Sequence, residues 1–196
     1  MLDRLTRDSL SIGLATGVYA VSFGVLSVAA GFSVLQTCVM SLVCFTGASQ
    51  IMFVTVIGAG GTAAAALPPA VLLAARNGLY ALSLGSVLRR GTWRRALDAH
   101  LVIDESTAMA HAQRDPAERR RGFLLTALAI FACWNAGTLA GALAGGVLGA
   151  PEAWGLDAIF PAVFLALLVP QVRSREVLAA ALAGAAIALL LVPAAP

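Results

Sequence analysis

From Ser33 to Ala66 the chain carries no charged residue, yet the middle of that run, CFTGASQIMF at residues 44–53, crowds Thr46, Gly47, Ser49 and Gln50 together. The run exceeds the roughly 20 apolar residues that a helix needs to span a bilayer. A plain membrane helix would fill its centre with Leu, Val or Ala. In hydrocarbon an unsatisfied backbone group costs several kcal/mol, so non-helical backbone survives only where protein or water satisfies it. Gly47 permits a break, and Thr46, Ser49 and Gln50 are able to replace the lost hydrogen bonds. A broken helix frees amides and carbonyls at mid-depth, where transporters hold the charged ends of their substrates. The competing reading is that Ser and Thr bond back to their own helix while Gln50 bonds a neighbouring one.

The rest of the chain agrees with a membrane setting. Only 12% of its 196 residues are charged, half of the roughly 25% usual in soluble domains. The expectation is an all-α integral membrane protein, one polytopic domain over residues 1–196. Uninterrupted apolar length suggests six segments, near 9–31, 33–59, 68–88, 122–149, 155–170 and 177–193. The second is interrupted at Thr46-Gly47 and the third at Pro68-Pro69. The opening MLDRLTRDSL lacks a long basic region, so the first segment reads as a retained helix rather than a cleaved signal.

All 13 cations are Arg, and they sit between the apolar segments, which argues against nucleic acid as a partner. Arg89, Arg90, Arg94, Arg95, Arg114 and Arg119–Arg121 crowd the one long polar stretch, 89–121. By the positive-inside rule that loop is cytoplasmic. Arg173 and Arg175 mark a second cytoplasmic turn, and Glu152 and Asp157 suit the outside, with Asp157 a helix cap. Three crossings before Arg89 would put the N-terminus outside, against the preference of Arg4 and Arg7. Two layouts resolve this. Either segment 33–59 enters and returns with TGAS at its tip, or segments 1–3 and 4–6 run in opposite directions as an inverted repeat. The second is slightly preferred.

Glycines recur every four residues at Gly137, Gly141, Gly145 and Gly149, and once more at Gly13 and Gly17. Such a stripe lets another backbone approach closely, most simply another helix of the chain, otherwise a partner subunit. Residues 95–114 read as one helix, too polar to span, that lies on the surface or re-enters and offers Asp104 and Glu105 to a transport path as proton carriers. His100, Asp104 and His111 share a stripe of it, too few ligands for a metal site. Cys38, Cys44 and Cys133 have no metal-ligand spacing and read as small core residues. No cofactor is expected.

Arg76, Asn77 and Tyr80 follow the proline pair. A buried Arg costs at least about 2.5–3.5 kcal/mol unless it snorkels, pairs or faces water. Arg76 precedes Arg89 by 13 residues, roughly 20 Å of helix, too far to snorkel to that side. It reaches the opposite interface, pairs with an acid, or holds a substrate carboxylate.

The stretches FGVLSVAAGFSVLQTCVMSLVCFTGASQ (23–50), AARNGLYALSL (74–84), LVIDESTAMA (101–110) and LDAIFPAVFLALL (156–168) resemble the AzlC-type family, in order and over most of the chain. Where that family reads Asn-x-Arg-His before a Leu-Tyr pair, this chain keeps Arg76, Leu79 and Tyr80 but has Ala74 and Asn77. The resemblance implies the large subunit of a branched-chain amino-acid exporter in the bacterial inner membrane. It further implies a proton gradient as driving force and a small AzlD-type membrane subunit as partner. The residues expected at the substrate are Thr46, Gly47, Ser49, Gln50, Arg76, Asn77 and Tyr80. No P-loop is present, so ATP is not the expected energy source. An enzyme is disfavoured for want of a nucleophile with a base. The alternative is a channel or a non-transporting scaffold subunit.

Overall fold

The computed structural model describes residues 2–148, 172 and 174–191, and every element among them is a helix or a turn. Two compact units divide the chain, residues 1–154 and 155–196. The first holds α1 (Arg4–Ala29), α2 (Val34–Val43), α3 (Ala48–Gly58), α4 (Ala63–Ser83), α5 (Thr92–His100), α6 (Asp104–Ala112) and α7 (Pro116–Leu148). The second contains α8 (Arg175–Leu191). The fifth apolar segment, with Glu152, Asp157 and Arg173, lies outside the described residues.

Two helices, α1 and α7, are long and apolar enough to cross a membrane unaided, and they form the spine of the first unit. Their contacts ascend together: Asp3 with Arg121, Ser9 with Thr126 at 2.9 Å, Gly17 with Cys133, and Val25 with Gly145. The helices are therefore parallel. The glycine stripe is what brings them together. A Cβ on Gly137 would land on the Gly17 carbonyl oxygen, and one on Gly141 on that of Val21. Gly137, Gly141 and Gly145 are thus used for packing inside the chain, the simpler of the two readings; Gly149 lies outside the described residues. On α1, Leu10, Leu14, Val18 and Val21 stay exposed, an apolar stripe suited to lipid.

Asp3 caps α1, accepting from the Thr6 amide at 2.8 Å. The hydrogen bonds from Thr6, with Arg121 behind them, hold its carboxyl down at about 2. The same carboxylate thus ties the N-termini of both spine helices at one end. Arg119–Arg121, Arg114 and the α4–α5 loop gather there too, so this is the arginine-rich end, the one the positive-inside rule expects on the cytoplasmic side. Arg4 and Arg7 join them on that side.

Segments 1 and 4 consequently run in the same direction, not in the opposite directions of the preferred inverted layout. The conflict over Arg4 and Arg7 is removed by the other layout, because the second segment does not cross. α2 descends from the outer end, antiparallel to α7: Ser41 bonds Thr138 at 3.2 Å and Phe45 meets Phe131 at 5.0 Å between ring centroids. α3 climbs back, so that the Phe53 ring lies 6.2 Å from that of Phe32 and Gly58 rests against Ala30. The segment is a hairpin whose two ends lie at the end opposite the arginines.

α4 then returns to the cytoplasmic end. It runs unbroken through Pro68 and Pro69, where an interruption was expected. Both prolines fall within the first two turns, so only the carbonyls of Ala64 and Ala65 forgo helical donors. The expected single helix over 95–114 is instead two, parted at Leu101–Ile103. There Ser106 Oγ accepts from the Ile103 amide at 3.1 Å and caps α6, and Asp104 and Glu105 suit its first turn. This second hairpin is seated at the cytoplasmic end by a buried cluster of Leu84, Val87, Leu88, Val102, Ala110 and Phe123.

Candidate transport site

The tip of the outer hairpin carries the polar group that the sequence placed there. Gly47 has φ 61° and ψ −95°, a conformation that side chains other than hydrogen avoid. It leaves α3 with no side chain at its N-cap. Gln50 fills part of that role by accepting from the Gly47 amide at 3.1 Å. The same side chain donates to the Met40 carbonyl at 3.0 Å, fastening α3 to α2. Thr46 donates to the Cys44 carbonyl at 2.6 Å and its hydroxyl pairs with that of Ser49. These bonds satisfy much of the break, as backbone exposed at membrane depth must be satisfied by the protein around it. What is left over is polar: the first amides of α3 and the last carbonyls of α2 have no partner within their own helices. Replacing Gly47 by alanine is expected to cost about 1–3 kcal/mol of stability through backbone strain. Thermal unfolding in detergent measures it, and an unchanged midpoint would show the tip to be unstrained.

Beside the tip lies a cavity of about 400 Å³, walled by Met40, Cys44, Thr46, Ser49, Gln50 and Phe53 of the hairpin and by Leu67, Ala70, Val71 and Ala74 of α4. Its volume is within the usual range for small-ligand sites. Apolar side chains line most of it, with the Thr46–Gln50 group as its polar part. Cys44 is exposed on this wall, not the core residue expected of it.

Arg76 does not share that wall. It stands two residues past Ala74, about 200° further around the helix. From there it pairs with Asp104, Nη1 to Oδ2 at 2.7 Å. The other Asp104 oxygen is buried and without a partner. Tyr80, one turn beyond Arg76, lies beside the same carboxylate. Glu105 is half-buried next to it, and Asn77 is half-buried on α4. Further along both helices Ser83 and His111 are 3.1 Å apart, so α4 and α6 run side by side. The site residues named from sequence therefore form two groups on two faces of α4. Thr46, Ser49 and Gln50 line the cavity, with Gly47 in the turn behind them; Arg76, Tyr80, Asp104 and Glu105 are at the seam with the inner hairpin, and Asn77 is placed with neither group.

Two further features escaped the sequence reading. Asp98 is fully buried, gripped by Arg89 Nη2 at 2.8 Å and Arg120 Nη1 at 3.1 Å. It also accepts from the Arg89 amide at 2.8 Å, while Arg120 donates to the Val87 carbonyl at 2.6 Å. Burial raises its carboxyl pKa, and the hydrogen bonds from Arg89 and then Arg120 outweigh that and leave it lowered. In sequence it looked like any acid of a solvated loop; the only signal was the density of Arg around it. The second feature is an aromatic contact between the hairpins. His100, at the end of α5, lies 6.1 Å from Phe45 and 5.9 Å from Phe131. His100 and Asp104 lie on different helices, so their expected common stripe is lost. No cluster of three or more metal-binding side chains occurs among the described residues.

Residues 11–148 match the family described as AzlC protein. An uncharacterized membrane protein of Archaeoglobus fulgidus is 31% identical over 183 residues, covering 92% of this chain and 80% of that one. The inner membrane protein YgaZ of Escherichia coli is 30% identical over 189 residues, covering 91% and 77%. An uncharacterized membrane protein of Helicobacter pylori is 26% identical over 167 residues, covering 84% and 73%. No solved structure matches the chain. Matched over most of its length and similar to proteins named for the membrane, the chain belongs to the AzlC family.

Proposed function

We propose that this protein is a secondary transporter that exports small neutral amino acids, branched-chain ones foremost, across a bacterial inner membrane together with a small partner subunit. The observation that carries the reading is the outer hairpin, broken at mid-depth beside a cavity of about 400 Å³. A zwitterion needs donors for its carboxylate and acceptors for its ammonium. The free amides at the start of α3 would supply the first, and the free carbonyls that end α2 the second. The aliphatic side chain then fits among Met40, Phe53, Leu67 and Val71. Direction and partner rest on the family resemblance.

Coupling is assigned to the Arg76–Asp104 pair, with Tyr80 and Glu105 beside it. A proton taken up by Asp104 would neutralise the carboxylate and release α4 from α6; its loss would restore the pair. Both side chains are over a third exposed, 38% and 36%, so the pair contributes to stability only at the surface level of about 0–1 kcal/mol. Loss of the pair alone is therefore not expected to unfold the protein.

Efflux of preloaded leucine, valine and methionine is the test, with the chain expressed alone and with its partner, and with or without a proton uncoupler. Uncoupler-sensitive efflux is expected. Arg76→Asp and Asp104→Arg should each abolish it, and the two together should restore a measurable part. Efflux that ignores the uncoupler would remove the proton from the mechanism, and none with any of these substrates would remove the amino-acid assignment.

A further inference from the structure

The outer and inner hairpins touch at one aromatic point. Three elements supply one side chain each to that point: Phe45 from the tip of the outer hairpin, His100 from the inner hairpin, and Phe131 from α7. Their ring centroids are 5.0, 5.9 and 6.1 Å apart. Phe131 is ten residues past Arg121, about 15 Å along the helix and half of the roughly 30 Å hydrocarbon thickness. Thr46, adjoining Phe45, belongs to the cavity wall.

We infer that the path between the cavity and the cytoplasmic face passes through this contact, and that Phe45, His100 and Phe131 are the barrier on it. The inference rests on the transport reading and adds three residues to it. The mechanics follow from how each ring is mounted. α7 is locked to α1 by backbone-to-backbone packing at Gly137 and Gly141, so Phe131 is the fixed wall. The other two rings sit on hairpins anchored at opposite faces of the protein. Among the described residues no hydrogen bond or ion pair joins the tip at 44–50 to residues 98–106. Parting the hairpins breaks no hydrogen bond or ion pair between them. Phe45 is buried and Phe131 half-buried in the contact, with His100 exposed at its edge; while closed, the two phenyl rings offer little to a zwitterion, which stays on its own side because it cannot shed its water there. The imidazole of His100 is the one group in the barrier able to hydrogen-bond a passing substrate.

Cys44 adjoins Phe45 and lines the outer cavity, which makes it a built-in reporter. With Cys38→Ala and Cys133→Ala it becomes the sole thiol of the chain. A membrane-impermeant maleimide is added to inside-out vesicles, where it meets the cytoplasmic face only. In the parent the labelling of Cys44 should be slow. In Phe131→Ala and in His100→Ala it should rise about tenfold or more, equivalent to about 1.4 kcal/mol off the entry barrier. Phe131→Leu, a smaller change, should give an intermediate rate and covers the case in which the alanine variant fails to insert. Fast labelling in the parent, or no rise in any inserted variant, overturns the assignment. The readout needs no substrate, so it stands or falls apart from the flux measurement.

Discussion

Asp98→Ala is expected to destabilise the protein by about 3 kcal/mol, the lower end of what breaking a buried ion pair costs. The lower end applies because water partly reaches the partners: the Arg89 side chain is 41% exposed and that of Arg120 30%, against 0% for Asp98. The carboxylate holds three things at once, namely the loop after α4, the helix α5 and the first turns of α7. Without it two guanidinium groups face each other over the buried cluster of Leu84, Val87 and Phe123. The pH dependence has a definite sign. The folded carboxyl titrates below its ordinary 3.8, so its contribution is complete above that value and disappears as pH falls through the lower, folded one. Thermal unfolding in detergent from neutral to acid pH should show the parent losing this contribution and Asp98→Asn lacking it throughout. A variant as stable as the parent at neutral pH would reduce the cluster to a surface contact.

Gly141→Ala is expected to be about as damaging, at roughly 3 kcal/mol, the upper part of the usual range for overpacking. The added Cβ would coincide with the Val21 carbonyl oxygen, and both groups belong to helix backbones that cannot turn aside. The helices must part, and the Gly17–Gly137 approach opens with them. Gly145→Ala is the control. There the nearest atom is Val25 Cα at 3.2 Å, which a shift of a few tenths of an ångström relieves, so about 1 kcal/mol is expected. The comparison is read from unfolding midpoints of purified protein. Equal effects at the two positions would mean that the spine helices are packed more loosely than their backbones indicate.

The two substitutions bear on how much could be read beforehand. The glycine stripe was legible, because a four-residue period is a property of one helix; its partner was not, because the positions that meet, such as Gly17 and Gly137, lie more than a hundred residues apart. The break at Gly47 was legible for a similar reason. A glycine among hydroxyls in an apolar run has few other uses, and the residues that repair the break are its neighbours. The direction of the chain after the break was not legible. A glycine at φ 61° lets the chain turn, but contacts such as Phe53 with Phe32 and Gly58 with Ala30 decide that it turns back. That return also undid the preferred inverted layout, since it removed one crossing.

Arg76 shows the same division at the level of chemistry. Its place within an apolar segment demanded an acid, a substrate or an interface, and the sequence could state those options but not choose. The choice fell to Asp104, brought alongside by a break at Leu101–Ile103 that no glycine or proline announces. Asp98 was missed altogether, since an acid near arginines in a polar stretch looks the same whether solvated or buried. Membrane residence, the break in the second segment, the close-packing stripe and the need to neutralise Arg76 were determined by the sequence alone, through local composition and helical period. The parallel spine, the return of the outer hairpin, the Asp98 clamp and the meeting of Phe45, His100 and Phe131 were decided only by tertiary structure. Each joins residues far apart in the chain, and no local energy term ranks such pairings until the helices have packed.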